Sequence, residues 1–416
     1  MEREKLSANE IKIQNRQRIY QFIRENYQVS KQDVVVGLQL SLPTVTQNLE
    51  YLRNLGLIDT SKKIRNTGGR NAMAYTYVAD ARMAIGVYLS ANHMGVVALN
   101  LSGEVVCHLR ESVAFDLDDD AYLQKIGRSV EEIKQKAAIS DDQLLGVGIA
   151  VPGLISNDGE SVTYGLTLGF TGKTRSQIAK YIPYPTRIVH DSYAAGYMET
   201  WIDGQVKNAF YISLSNSIGG AMIIDNAIYE GDSLKGGEII QKFLPKLCCP
   251  FISVFKKPEK FFQISICITV QITCTAQRVK ASSFSTITQF SALRHNRHMS
   301  DLTALETVSL INGNLEEFFR LLENGDKGAA ELWEKYLDDL SLSIHNIRIL
   351  FDGTVILGGY VGAYIGDYME ELNRRVDDRN PFGDKAENYL RACRYKVEAT
   401  AAGAAIFFVD HFLENV

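Results

Sequence analysis

The sequence predicts an α/β protein with a winged helix-turn-helix module at its amino-terminal end. Three observations point there. Residues 29–58, VSKQDVVVGLQLSLPTVTQNLEYLRNLGLI, read as two short helices joined by a sharp turn, and from about residue 82 apolar strands alternate with helical stretches. Charge is also unevenly divided: residues 1–80 hold 12 Lys+Arg against 8 Asp+Glu, although the whole chain stands at −5. A basic head on an acidic body suits nucleic-acid contact at one end only.

The head, residues 1–80, opens with a helix over 11–28 that offers Ile13, Ile19, Phe22 and Ile23 to a core. Ser30 can cap the next helix, with Val34, Val35 and Leu38 inward, and Ser41 the third, with Pro43 in a first turn that needs no N–H there. In that third helix Val45, Leu49 and Leu52 recur at helical spacing, which leaves Thr44, Thr46, Gln47 and Arg53 outside as donors and acceptors for base edges and phosphates. Gly56 ends it. The following LIDTSKKIRNTGGRNAMAYTYV reads as a two-stranded wing with Gly68 and Gly69 at its tip. Its basic residues Lys62, Lys63, Arg65 and Arg70, with no acid among 61–70, suit phosphates or a minor groove. The bland alternative is a protein-binding three-helix module with a solvated loop.

A boundary is expected at Ala79–Arg82. Beyond it come AIGVYLSANHMGVVALN, VVCHLRESVAF, a helix near 120–138, the buried strand LLGVGIAV, the turn VPGLIS, a helix near 174–181, TRIVH, a helix from Ser192 to Trp201, and the strands NAFYISLS and GGAMIID. Ile239–Ser300 then breaks the pattern, with no glycine and a single acid, Glu259, where turns of an α/β domain need glycine. A shifted reading frame or a divergent insertion would account for it, and the coding DNA decides. Order returns with a helical stretch interrupted at Asn324 and Gly325, then TVILGGYVG, a helix to about Val376, the strand RYKVE and a last helix, AAGAAIFFVDHFL. The start MEREKLSANE lacks a signal-peptide core and no apolar run has membrane length, so a cytoplasmic protein is expected. Six cysteines in 416 residues do not form a disulfide scaffold.

At GVGIAVPGLIS, HDSYAAGYMET and the glycine turns SIGG and ILGGYVG, the body resembles the ROK family of sugar kinases and repressors. With its winged head the chain resembles the repressor branch, which includes xylose and N-acetylglucosamine regulators. The resemblance implies an actin-like (ribonuclease H-like), two-lobed domain over 81–416. Its lobes would run over about 81–205 and 206–400, with the C-terminal helix returning to the first. It further implies a sugar cleft between the lobes and a homodimer or homotetramer.

Kinases of this family turn after the first strand at D-x-G-x-T, and this chain has Tyr88, Leu89, Ser90, Ala91 and Asn92 there. The second phosphate loop, G-T-G-x-G-G in relatives, reads Ser215, Asn216, Ser217, Ile218, Gly219, Gly220. A tyrosine cannot replace a metal-side carboxylate, and side chains stand where backbone must approach phosphate. No catalytic residue is therefore expected. The resemblance places sugar contacts at Asp191 and Glu238, with Thr167 and His190 in positions where relatives carry Asn. Asp191 could equally be a plain helix N-cap, and Glu238 a solvated loop acid. The family's structural zinc uses a His, here Gln241, and a C-x-C-G-x-x-G-C run, whose spacing Cys248, Cys249, Cys267 and Cys274 lack, so neither metal nor cofactor is expected. The resulting expectation is a repressor that binds operator DNA and answers to a sugar or sugar phosphate. An active sugar kinase, a sugar-independent DNA-binding regulator and a structural interaction module remain as rivals.

Overall fold

The structure, a computed structural model, describes residues 7–26, 28–60, 63–64, 72–165, 168–215, 218–238, 315–395 and 398–416. The glycine-free stretch 239–300 lies outside them. Two compact units are formed, one from Met1–Lys207, Met222–Gly236 and Val397–Val416, the other from Asn208–Ala221 and Gly237–Lys396.

The first unit begins with α1 (Ala8–Glu25), β1 (Gln28–Ser30), α2 (Lys31–Leu38), α3 (Leu42–Asn54), β2 (Ile58–Asp59), β3 (Lys63–Ile64) and β4 (Ala72–Tyr77). Helix α1 starts earlier than its apolar pattern suggests because Ser7 and Glu10 form a reciprocal capping box. Ser30 and Asp33 do the same for α2, and the Ser41 hydroxyl accepts from the Thr44 N–H at 3.3 Å to start α3. Such a cap contributes about 1 kcal/mol. The α3 terminus closes through Gly56 at φ 71°: its N–H reaches Arg53 O, and the Leu57 N–H reaches Leu52 O. Gly56 supplies the left-handed residue that this double closure needs. Ile19, Ile23, Val34, Val45, Leu49 and Leu52 are buried together as the head's core, while β4 pairs antiparallel with β1, β2 and β3. Arg16 is buried as well, its guanidinium 3.6 Å from the centre of the Tyr51 ring on α3.

Next comes a five-stranded sheet in the order β11-β8-β5-β6-β7. Its strands β5 (Met83–Leu89), β6 (His93–Asn100) and β7 (Val105–Ser112) form an antiparallel meander, whereas β8 (Leu144–Val151) and β11 (Thr186–His190) run parallel to β5. Side chains alternate across it. Ile85, Val87 and Leu89 share one face with Val147 and Ile149, where Ile126, Val130 and Ile133 of α4 (Asp120–Lys136) cover them. Gly86 and Gly148 lie on the other, beneath the C-terminal helix (Ala399–Asn415), whose run of alanines lets backbone meet backbone. A Cβ on Gly86 would sit 1.8 Å from Ala401 O, and one on Gly148 1.9 Å from Ala404 O. The hairpin of β9 (Leu154–Ile155) with β10 (Val162–Tyr164), the short α5 (Arg175–Ile178) and α6 (Asp191–Asp203) complete this part. Gly403 brings the C-terminal helix equally close to α6, a Cβ there meeting Ala194 O at 1.9 Å.

The second unit holds β12 (Ala209–Leu214), most of its sheet neighbour β13 (Ile218–Ile224), α7 (Leu315–Glu323), α8 (Lys327–Phe351), β15 (Thr354–Gly358), α9 (Gly359–Gly362), α10 (Met369–Asp377) and β16 (Leu390–Ala392). β13 runs on into the first unit, where its end pairs with β14 (Ala227–Ile228). β15 lies between β12 and β16, parallel to both. The break between α7 and α8 falls at Asn324–Gly325 as expected, with Asp326 capping α8 through the Ala329 N–H. Phe318, Phe319, Trp333, Tyr336, Tyr364 and Tyr368 form one aromatic cluster against these helices.

On α10, hydrogen bonds from Arg374 and Arg375 hold the Glu371 carboxyl down at about 2. A folded-state value below that of the unfolded chain, about 4.3, stabilises the fold above that pH, and the contribution disappears as pH falls through the folded value. Glu371→Gln should therefore flatten the pH dependence of the unfolding midpoint between about pH 4 and 2, read in a series of acid melts.

Candidate functional site

Two regions collect the residues singled out above. On α3, Gln47 and Arg53 are exposed and Thr46 half-buried, forming an outer face opposite Val45, Leu49 and Leu52. Thr44 differs, because its hydroxyl lies 2.8 Å from that of Ser41 and so belongs to the cap. Pairing of Lys63 with Met73 and Ile64 with Ala72 builds the base of the wing. Lys62, Arg65 and Arg70 lie outside the described residues, and of Lys63 only the backbone is described.

The second region is the start of α6. The sequence allowed Asp191 as N-cap, but that position falls to His190, with no side-chain cap, and Asp191 is the first helical residue. The displacement has a local cause: β11 runs directly into α6 without a linking residue. Asp191 Oδ1 accepts from the Ser192 N–H at 2.7 Å and lies 3.4 Å from His190 Nε2, with the side chain 19% exposed. The His190 ring sits edge-on to Tyr193, 4.7 Å between centres. His190 and Asp191 are thus brought together; Glu238, half-buried, belongs to the second unit, and Thr167 lies outside the described residues.

At two turns of the sheets, side chains engage backbone groups. Ser90 closes a hairpin, its hydroxyl donating to His93 O at 2.9 Å and accepting from the His93 N–H at 3.2 Å. In the second unit, the N–H groups of Gly359 and Tyr360, which begin a helical turn, donate to the Tyr211 hydroxyl and to Ser215 Oγ at 3.2 and 3.3 Å.

A feature absent from the sequence reading is a cleft of about 1210 Å3 within the first unit, along one face of α6. Tyr193, Tyr197 and Trp201 line it from α6, with Arg187 from β11 and Phe407 and Asp410 from the C-terminal helix. The rings of Tyr197 and Phe407 stack at 4.9 Å with an interplanar angle of 6°, and Arg187 lies 4.5 Å from the centre of the Phe407 ring. Asp410 accepts from the Tyr197 hydroxyl and, at 2.9 Å, from Trp201 Nε1. Burial and that bond to Asp410 push the Tyr197 phenol well above its ordinary range. The spacing of Tyr193, Tyr197 and Trp201, one helical turn apart, was the available sequence signal. Trp201 also faces the head, with the Arg24 guanidinium of α1 4.7 Å from its ring centre, and the Gln17 side chain of α1 donates to Glu414 O. Among the described residues no group of three His, Cys, Asp or Glu is placed to hold a metal, and no helix is long and apolar enough to cross a membrane.

The family model described as ROK family matches residues 85–411. This chain belongs to the ROK family. A xylose repressor from Caldicellulosiruptor bescii is 24% identical to it over 403 residues, 96% of each chain. Among solved structures, a ROK family transcriptional regulator homologous to the E. coli MLC protein covers 97% of both chains with a TM-score of 0.63 at 18% identity. A ROK family glucokinase from Streptomyces griseus, in complex with glucose and AMPPNP, covers 78% of this chain and 98% of its own, with a TM-score of 0.54 at 13% identity. These likenesses bear out the mixed α/β, actin-like ROK architecture.

Proposed function

We propose that this ROK protein is a DNA-binding repressor whose operator affinity is set by a sugar or sugar phosphate bound at Asp191. Its head acts as a winged helix-turn-helix reader, and the observation that carries this is the capped α3, with Gln47 and Arg53 outward over a closed apolar inner face. The similar xylose repressor, alike over 96% of both chains, supports the same assignment. A reader of this geometry docks α3 in the major groove, and a dimer or tetramer would present two heads to a pseudo-palindromic operator. The effector must prefer one arrangement of the protein, since equal binding to both shifts nothing. Asp191 supplies two carboxylate oxygens for hydroxyls.

Sugar phosphorylation is not part of this proposal. In support, the Gly359 and Tyr360 N–H groups at the β15 glycine turn are already taken by Tyr211 and Ser215, and the Ser90 hydroxyl is bound to His93, so these groups are engaged within the fold rather than offered to a triphosphate. A coupled assay with ATP and common hexoses should give no product above background; turnover would overturn this part.

A mobility-shift assay on the DNA upstream of the coding region, with and without a sugar panel, tests the whole. Gln47→Ala should cost about 1–3 kcal/mol and relax preference at one base position. Arg70→Ala should weaken all sequences alike and lower the salt slope by about 1. No binding at low ionic strength would refute the repressor reading, and binding indifferent to every sugar would leave a sugar-independent regulator.

A further inference from the structure

We propose that the cleft along α6 is a binding site for a linear oligosaccharide, so that the effector is a chain of sugar rings and its far end bears on the contact between body and head. The proposal rests on the sugar-responsive reading above and deepens it.

Size is the first reason. From Tyr193 to Trp201 the lined face of α6 extends for roughly 12 Å at the α-helical rise. At about 1210 Å3 the cleft exceeds the roughly 300–1,000 Å3 that encloses a drug-sized ligand. One pyranose would occupy only a fraction of it.

Chemistry is the second. The partly exposed aromatic side chains of Tyr197, Trp201, Phe407 and Phe408 give apolar surface for the C–H faces of sugar rings. Between them stand polar groups suited to hydroxyls: the Arg187 guanidinium as donor, and the carboxylates of Asp410 and the exposed Glu230 as acceptors. A purely apolar ligand would desolvate the exposed Arg187 and Glu230 without replacing their bonds to water, and a simple anion would meet more carboxylates than guanidinium groups.

Position is the third. His190, whose Nε2 lies 3.4 Å from Asp191 Oδ1, lines the cleft at the start of α6. Trp201 lines the far end while the Arg24 guanidinium of α1 rests over its ring. Glu414 also lines the cleft, and its carbonyl accepts from Gln17. A chain long enough to reach Trp201 therefore acts on the residues that seat the DNA-reading head, whereas a single ring at Asp191 does not touch them.

The test is calorimetric titration of the full chain, without DNA, with two series: xylose through xylotetraose, and glucose through cellotetraose. In one series affinity should rise by about tenfold or more, the equivalent of about 1.4 kcal/mol, from monomer to tetramer. Trp201 is one of only two tryptophans in the chain, so the tetramer should change the intrinsic emission, and the change should be absent from Trp201→Phe. Glu230→Gln, at an exposed position, should reduce the tetramer-to-monomer ratio by about threefold. Three results would each overturn the proposal: a ratio near one in both series, an emission change that persists in Trp201→Phe, or saturable binding of spermidine with none of either saccharide series. Failure of the repressor reading is seen separately, in the mobility shift, because the chain-length ratio is measured with no DNA present.

Discussion

Gly403→Ala should destabilise the first unit by about 3 kcal/mol, at the upper end of typical overpacking costs, and lower its melting temperature by roughly 6–12 °C. The new methyl would meet Ala194 O at 1.9 Å and the Ala194 carbonyl carbon at 2.3 Å. Both are backbone atoms within α6, so no side-chain rotation relieves the clash; the C-terminal helix must move away as a body. Gly148→Ala should behave alike, its Cβ meeting Ala404 O at 1.9 Å from the sheet side. Gly95→Ala is the control: nothing lies within 4 Å of that Cβ, and the change should stay within about 0.5 kcal/mol. Thermal melts of the three variants, followed by far-ultraviolet circular dichroism, give the comparison. Equal melting temperatures for Gly403→Ala and Gly95→Ala would show that the close helix packing contributes nothing.

Trp333→Ala carries the other large effect, a loss of about 3–5 kcal/mol in the second unit. Trp333 is 2% exposed and has Phe318, Phe319, Tyr336 and Tyr368 around it, the Phe319 and Tyr336 rings 5.1 and 5.3 Å away. Truncation removes the common member of that cluster and leaves a void that Phe318 and Phe319, at 1% and 3% exposure, have little freedom to fill. Trp333→Phe should recover much of the loss because a ring still occupies the space. Amide exchange over α7, α8 and α10 is the direct readout, with protection lost there in the alanine variant and largely kept in the phenylalanine one.

What could be read from the residues follows a physical division. Signals confined to a few neighbours were legible: Ser41 and Pro43 start α3, Gly56 ends it, and Asn324 and Gly325 separate two helices. Apolar period likewise revealed Val45, Leu49 and Leu52 as an inner face. Contacts between distant parts of the chain left no such trace. Nothing near Arg16 foretells its stacking on Tyr51, and Trp201 reads as an ordinary helix end until Arg24 and Asp410 arrive from opposite ends of the sequence. The cap at α6 was misplaced because Asp is the commoner capping residue, whereas the strand-to-helix passage put His190 there. The cleft depends on β11, α6 and the C-terminal helix together, so no single stretch could disclose it.

The backbone contacts at Gly86 and Gly148 also bear on how the protein is made. Their partners, Ala401 and Ala404, leave the ribosome long after the sheet they cover. At roughly 5–20 residues per second, the interval between Lys207 and Ala399 is on the order of 10 to 40 s. Throughout translation of the second unit, one face of the nascent first sheet therefore lacks its covering helix, and the first unit completes its packing only after the last helix has emerged.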